Sequence, residues 1–232
     1  VYKRQALGTT SKAPSTSPDN NSKPEAGKYT GTCVDKAVLD HGHVDIAVTR
    51  DGDKFRTRLK DETAIVDKKT VERPLDDVVL AIHNNALRPR PEALKGKDFD
   101  YLGEDKFFLL PQTQEQSIIW PGYNTQALDY QDYKDGTVTL NIKPVEMPDG
   151  AQVGLFTTEG LGKGFTPLIN SAEGDYSIET TFASHTHTNW AFTKPGMYKL
   201  EVSYSATTTD GKEITSEPQT LTVAAGDAAI KD

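Results

Sequence analysis

Alternating apolar and polar positions recur along the chain between residues 29 and 223. In the segments 137–142 and 198–204 nearly every second side chain is apolar, which is typical of strands with one face in a core. Continuous apolar runs at 78–82 and 107–110 predict strands that are buried on both faces. The best helical candidate, 90–95, is only about one turn long. The pattern therefore predicts an all-β fold.

Four Asp-Gly dipeptides punctuate these runs and predict tight turns between strands. They lie at 51–52, 135–136, 149–150 and 210–211, and most are flanked by alternating or β-branched residues, which indicates hairpins.

The segment 194–202 indicates which kind of β fold the strands form. A Lys-Pro-Gly turn precedes Tyr198 and an alternating strand, a pattern similar to the tyrosine corner of immunoglobulin-like sandwiches. We therefore predict an immunoglobulin-like β-sandwich. Residues 136–223 could form one largely alone, so a single sandwich and two packed β subdomains both remain open.

The two ends of the chain differ from its centre. Residues 1–28 are rich in Ser, Thr, Pro and Lys, which predicts a disordered linker, and residues 224–232 lose the alternation, which predicts a flexible tail. The folded domain is expected at 29–223. The chain contains no run of eighteen apolar residues, so no membrane span is expected. Because it opens at Val1 without an initiator Met, we interpret it as a fragment or mature piece. Any export signal and anchor would then lie outside it.

Charge and cysteine content narrow the classes of partner. A net charge of -8 over 232 residues argues against nucleic acid and favours cations. Cys33 is the only cysteine, so the chain has no intrachain disulfide and no thiolate-based metal centre.

Four of the five histidines fall in two His-x-His pairs, His41/His43 and His185/His187. In a strand, alternate side chains share a face, so each pair can direct both imidazoles towards one ion. Asp45 continues the first face and Asn189 the second. The opposite faces carry the apolar residues Val44, Ile46, Trp190 and Phe192.

These pairs predict one transition-metal site, with zinc as the expected ion. His43, His185 and His187 are the leading ligands. His41 is the candidate fourth ligand, and Asp45 either binds the ion or orients a histidine. Without a thiolate, Cu(II), Ni, Mn and Fe remain chemically allowed.

Two further features have simpler interpretations. The isolated His83 is expected to be a structural or loop histidine. The stretch from Trp120 to Asn124 is expected to form a corner of the sandwich with Trp120 in the core, and the alternatives are a ligand platform or a wall of the metal site.

Four ordered motifs resemble the actinobacterial surface-anchored repeat domain, also called the choice-of-anchor M domain, over nearly all of residues 30–223. They lie at 42–45, 110–114, 119–122 and 185–192, the last followed by Pro195-Gly196-Met197-Tyr198. The resemblance implies an exported, wall-linked or lipid-linked actinobacterial protein encoded beside a metal-type ABC transporter. It implies no established catalytic activity.

Three functions follow as alternatives. The first is a cell-surface module that binds zinc, supports metal acquisition and has a transporter's substrate-binding protein as a partner. The second is a zinc hydrolase, which needs an open coordination position and a general base, although neither cluster contains a Glu. The third is a structural or adhesion stalk without metal.

Overall fold

A computed structural model describes residues 35–103, 105–162 and 164–231 of the chain. The predicted linker at 1–28 and Cys33 lie outside the described residues. No helix within the described part of the chain is long and apolar enough to span a lipid bilayer.

Strands dominate the described residues, as the alternation predicts. In chain order they are β1 (Ala37–Leu39), β2 (Gly42–Asp51), β3 (Lys54–Asp61), β4 (Val71–Arg73), β5 (Val78–Ile82), β6 (Leu87–Pro89), β7 (Lys106–Leu110), β8 (Ile119–Asn124), β9 (Val138–Glu146), β10 (Val153–Glu159), β11 (Gly164–Asn170), β12 (Ser177–Thr180), β13 (His185–His187), β14 (Asn189–Phe192), β15 (Gly196–Thr207), β16 (Glu213–Thr215) and β17 (Gln219–Ala225). The α-helix α1 is short and spans Asp227–Lys231. Short 3-10 segments occupy Leu75–Asp77, Asn84–Ala86, Glu92–Leu94, Lys97–Leu102, Tyr130–Asp132, Lys134–Gly136 and Gly160–Gly162.

The strands form three sheets. The first has the order β1-β5-β17-β15-β9-β12 with β16 paired to β15, the second is β11-β10-β14-β7-β6, and the third is β13-β8-β2-β3-β4. Most pairs are antiparallel, but β1-β5, β5-β17 and β2-β8 are parallel. The first sheet takes β1 and β5 from the first half of the chain and its other strands from the second half, so the two halves interleave.

One continuous hydrophobic cluster joins the three sheets into an all-β sandwich. It includes Leu80 and Leu200 of the first sheet, Trp190 of the second, and Val44 and Ile46 of the third, all essentially inaccessible to solvent. The buried hydroxyl of Tyr204 in β15 donates a hydrogen bond to the Ile46 carbonyl oxygen at 2.8 Å. The first sheet therefore packs against the inner faces of the other two.

The expected tail at 224–232 is wrong for residues 224–231. Ala224 and Ala225 are the buried end of β17, and α1 places Ala229 and Ile230 against the outer face of the first sheet. The alternation stops here because these residues are buried on both faces, not because the chain leaves the fold.

The turn predictions had mixed outcomes. Asp51-Gly52 and Asp210-Gly211 connect the antiparallel pairs β2-β3 and β15-β16, which confirms two hairpins. Asp135-Gly136 belongs to a 3-10 turn before β9. Asp149-Gly150 joins strands of different sheets, because β9 pairs in the first sheet and β10 in the second. An Asp-Gly turn specifies a reversal of the chain but not which strands pair across it.

Tyr198 makes the contact that defines a tyrosine corner. Its hydroxyl donates to the backbone carbonyl of Lys194 at 2.6 Å and accepts from the Lys194 amide at 3.1 Å. This contact fixes the entry of β15 into the core.

His83 has a structural role, as expected. Its Nε2 lies 2.9 Å from Asp40 Oδ2 and its Nδ1 lies 2.8 Å from Asp227 Oδ1, so the imidazole bridges the loop after β1 and the start of α1. The hydrogen bond with Asp40 is the main reason that the pKa of His83 is raised. Burial raises the pKa of Asp40, but the contacts of Asp40 with His83 and His41 outweigh burial and lower this pKa to about 2.

Replacing His83 with glutamine should cost more stability in mild acid than in base. The raised pKa of His83 means that its stabilisation is full below pH 6.5 and is lost as pH rises through the folded-state value. The Asp40 contribution persists until pH falls below about 4. Urea unfolding at pH 5.0 should show a loss of about 1–2 kcal/mol, and the loss should shrink at pH 9. An equal loss at both pH values would contradict an ionic bridge.

Candidate metal centre

The two His-x-His regions meet on the outer face of the third sheet. β8 lies between β2 and β13, and Gly122 of β8 is paired with Asp45 on one side and with His187 on the other. Two residues before Gly122 in β8, Trp120 is paired with His43, and two residues after it, Asn124 is paired with His185. Alternation places all these side chains on the same face.

Gly122 allows the side chains of the outer strands to meet above β8. The strands on either side of β8 are about 9.5 Å apart, so their side chains converge only if the residue between them has no side chain. A Cβ added at Gly122 would lie 2.6 Å from Asp45 Oδ1 and 2.9 Å from His187 Nε2. The glycine is therefore part of the site.

Four donor atoms form a compact tetrahedron. The three imidazole Nε2 atoms are 3.2 Å apart for His43 and His185, 3.1 Å for His43 and His187, and 3.2 Å for His185 and His187. Asp45 Oδ1 lies 3.1 Å, 2.9 Å and 3.9 Å from the Nε2 atoms of His43, His185 and His187 respectively. Ligands at about 2.0–2.1 Å from a tetrahedral zinc ion are about 3.3–3.4 Å from one another. Five of the six separations are 2.9–3.2 Å and the sixth is 3.9 Å, so the donor set is close to that geometry and slightly compressed.

Outer contacts fix two of the imidazoles with Nε2 facing the centre. His187 Nδ1 lies 3.2 Å from the Pro121 carbonyl oxygen, which can only accept, so Nδ1 carries the proton. His43 Nδ1 lies 2.6 Å from Glu62 Oε2, and the other oxygen of Glu62 pairs with Lys60 at 2.8 Å. A carboxylate or carbonyl behind a histidine is the usual support for a metal ligand.

Burial is uneven across the four residues. The Asp45 side chain is 0% exposed, and its Oδ2 has no hydrogen-bond partner among the described residues.

The Trp120 ring stacks on His187 with centroids 3.6 Å apart and planes 12° apart. Trp120 therefore forms a wall of the site, one of the alternatives for this residue, and its indole N–H donates to the Gln112 carbonyl oxygen at 3.0 Å.

The pKa values in the cluster reflect the competition between protons and a metal ion. A hydrogen bond with Asp45 raises the pKa of His43, and burial lowers that of His187 to about 4. Burial opposes ionisation of Asp45, but the contacts with the three histidines, above all His43, outweigh this effect and lower the pKa of Asp45. Protons therefore compete with a metal ion more strongly at His43, whose pKa is raised, than at His187, which is already neutral at pH 6.

The structure separates His41 and Asn189 from this cluster. Gly42 has a φ of +88°, so the strand begins after His41 and the expected alternation is broken there. His41 Nδ1 pairs with Asp40 at 2.6 Å instead. Asn189 belongs to β14 of the second sheet, where its amide group bonds Gln112 and Thr158.

Two residues of the candidate site, Glu62 and Gly122, were not predicted from the sequence. Glu62 reaches His43 only because β3 pairs with β2, and Gly122 matters only because β8 lies between the two ligand strands. The Trp-Pro-Gly motif at 120–122 drew attention to Gly122, but it predicted a turn at this position. The structure instead places these residues inside β8.

The arrangement is suited to a metal ion of intermediate softness. Among the described residues, one group of three or more His, Cys, Asp or Glu side chains brings its ligand atoms together. It consists of His43, Asp45, His185 and His187. Three imidazoles and one carboxylate are a common zinc donor set. Comparison of the chain with protein-family models, with curated proteins and with solved structures finds no match in any of the three.

Proposed function

We propose that this protein binds a zinc ion through His43, Asp45, His185 and His187 and supports metal acquisition as an exported cell-surface module. The observation that carries the proposal is the tetrahedral arrangement of three Nε2 atoms and one carboxylate oxygen. The supporting contacts of Glu62 and Pro121 are those expected behind metal-binding imidazoles.

Zinc is favoured over the other candidate ions by geometry and donor type. Calcium and magnesium prefer oxygen ligands in larger or octahedral sets. Cu(II) and Ni(II) favour tetragonal or planar sets, whereas the four donors here surround a point in three dimensions.

Capture of the ion is favoured over hydrolysis. A catalytic zinc keeps one position open for water, whereas here four protein donors already complete a tetrahedral set. Glu62 is the nearby glutamate that a hydrolase would use as a base, but it is held between His43 and Lys60. A structural stalk without metal would not require four donor atoms to converge above Gly122, where any side chain would clash with Asp45 and His187.

The cell-surface role rests on the motif resemblance and on charge. The four ordered motifs support an exported module, and the net charge of -8 favours the approach of cations. The proposed partner is the substrate-binding protein of a metal transporter. Co-purification of that protein with the zinc-loaded chain tests this part.

Replacing His43 with alanine should weaken zinc binding by about 100-fold, while replacing His41 should leave it unchanged. Zinc binding of about 10–16 kcal/mol shared by four donors gives about 3 kcal/mol per donor, or about two orders of magnitude in affinity. Competition against a fluorescent zinc chelator at pH 7.5 measures both constants.

The His41 variant is a matched control because it removes the same side chain two residues away and outside the cluster. Metal analysis of natively purified protein should give one zinc per chain. Equal affinities for the wild type and the His43 variant would refute the proposed site.

A further inference from the structure

We propose that His185 is the exchange ligand of this site, the donor that leaves the ion when the metal enters or is handed to an acceptor. The inference rests on the proposed function, since it concerns how the same centre loads and releases its ion. It assigns unequal roles to four donors that the tetrahedral geometry alone treats as equivalent.

The contacts behind the three imidazoles are unequal. His43 is held by Glu62, and His187 is held by Pro121 and by the stacked ring of Trp120. Within the described part of the chain, the hydrogen bonds of the His185 ring are all made by Nε2, to the other three donors, and none supports Nδ1 from behind. Since outer contacts orient ligands and lower the cost of fixing them, His185 is the least constrained imidazole.

Among the three imidazoles, exposure follows the same order. The exposed fraction of the side chain rises from 0% for Asp45 through 11% for His187 and 18% for His43 to 34% for His185. The open side of the polyhedron is therefore the side of His185. An incoming donor can reach the ion there without displacing Trp120.

The position of β13 in the sheet adds a third argument. β13 is three residues long and lies at the edge of the third sheet, where it pairs with β8 alone. Its backbone is nevertheless anchored, because Thr125 N donates to the Ser184 carbonyl oxygen at 2.9 Å and Ser184 N donates to Thr125 Oγ1 at 3.1 Å. Exchange therefore needs only rotation of the His185 side chain, which is fast for exposed residues.

The chemistry of the exchange defines the acceptor. The bond between zinc and His185 Nε2 breaks as a bond from the incoming donor forms, and the ion keeps its charge of +2 throughout. The acceptor must present an unprotonated nitrogen or sulfur donor of at least equal affinity. A neutral imidazole on the surface of a partner protein fits this description.

Chemical rescue distinguishes the two histidines of β13. His185→Gly and His187→Gly remove identical atoms from the full chain, and Co²⁺ reports coordination through its visible absorption. Adding free imidazole should restore the wild-type Co²⁺ spectrum and raise zinc affinity about tenfold in His185→Gly. Free imidazole should have a much smaller effect on the Co²⁺ spectrum and zinc affinity of His187→Gly, because the space left by His187 lies against the ring of Trp120. Urea unfolding of both apo variants checks that they fold.

The outcomes separate the inference from the proposed function. Failure of the wild type to bind Co²⁺ or zinc would overturn the proposed function and the inference with it. If the wild type binds but imidazole rescues both variants equally, or rescues only His187→Gly, the metal site stands and the exchange role of His185 is wrong. Selective rescue of His185→Gly supports it.

Discussion

Replacement of Gly122 with alanine is expected to weaken zinc binding by at least about 1000-fold without unfolding the protein. The added methyl group would lie 2.6 Å from Asp45 Oδ1 and 2.8 Å from His187 Cε1, so two of the four donors must move. With each donor worth about 3 kcal/mol, displacing both would remove about 6 kcal/mol, or up to about four orders of magnitude in affinity. The backbone of Gly122 has no positive φ, so alanine itself is compatible with β8. Zinc competition titration measures the effect.

Gly164 is the matched control for this substitution. It also lies in a strand, and a Cβ added there meets no described atom within 4 Å. Gly164→Ala should bind zinc like the wild type, and both apo variants should unfold cooperatively in urea. Wild-type zinc affinity in Gly122→Ala would show that the four side chains do not act as one ligand set.

Zinc is expected to raise the thermal unfolding midpoint by about 8–16 °C. A ligand at about 1000 times its Kd that binds the folded state alone stabilises it by about 4 kcal/mol. For a domain of this size, each kcal/mol corresponds to about 2–4 °C. The donors come from β2 and β13, which are far apart in sequence, so the unfolded chain does not preserve the site. Calorimetry with and without zinc measures the shift, and EDTA should reverse it.

Asp45→Asn is the control for the thermal shift. It keeps the shape of a buried side chain but removes the anionic donor, so zinc affinity should fall by about 100-fold. At the same zinc concentration the stabilisation should then be about one third of the wild-type value. Magnesium at equal concentration should have no effect on either protein, since it prefers oxygen ligands. A full shift in the variant would place the zinc elsewhere.

Much of the fold follows from local pattern. The run at 78–82 is β5, buried on both faces, and Val44, Ile46, Trp190 and Phe192 are core residues as alternation predicted. The tyrosine corner was also evident, because it depends on neighbours within four residues. The pairing of strands was not evident. Asp149-Gly150 shows why, since a turn sequence carries no information about the sheet that each flanking strand joins.

Alternation along a strand is a local property, so the amino-acid sequence is enough to predict which side chains of β2 and β13 share a face. It thereby identified His43, Asp45, His185 and His187 as candidates, and erred at His41, where the φ of Gly42 breaks the strand. Three features depend on the packing of the whole fold: these strands lie on either side of β8, Gly122 leaves room between them, and Glu62 supports His43. Pairing between distant strands depends on how the whole core packs, which no short segment of the chain encodes.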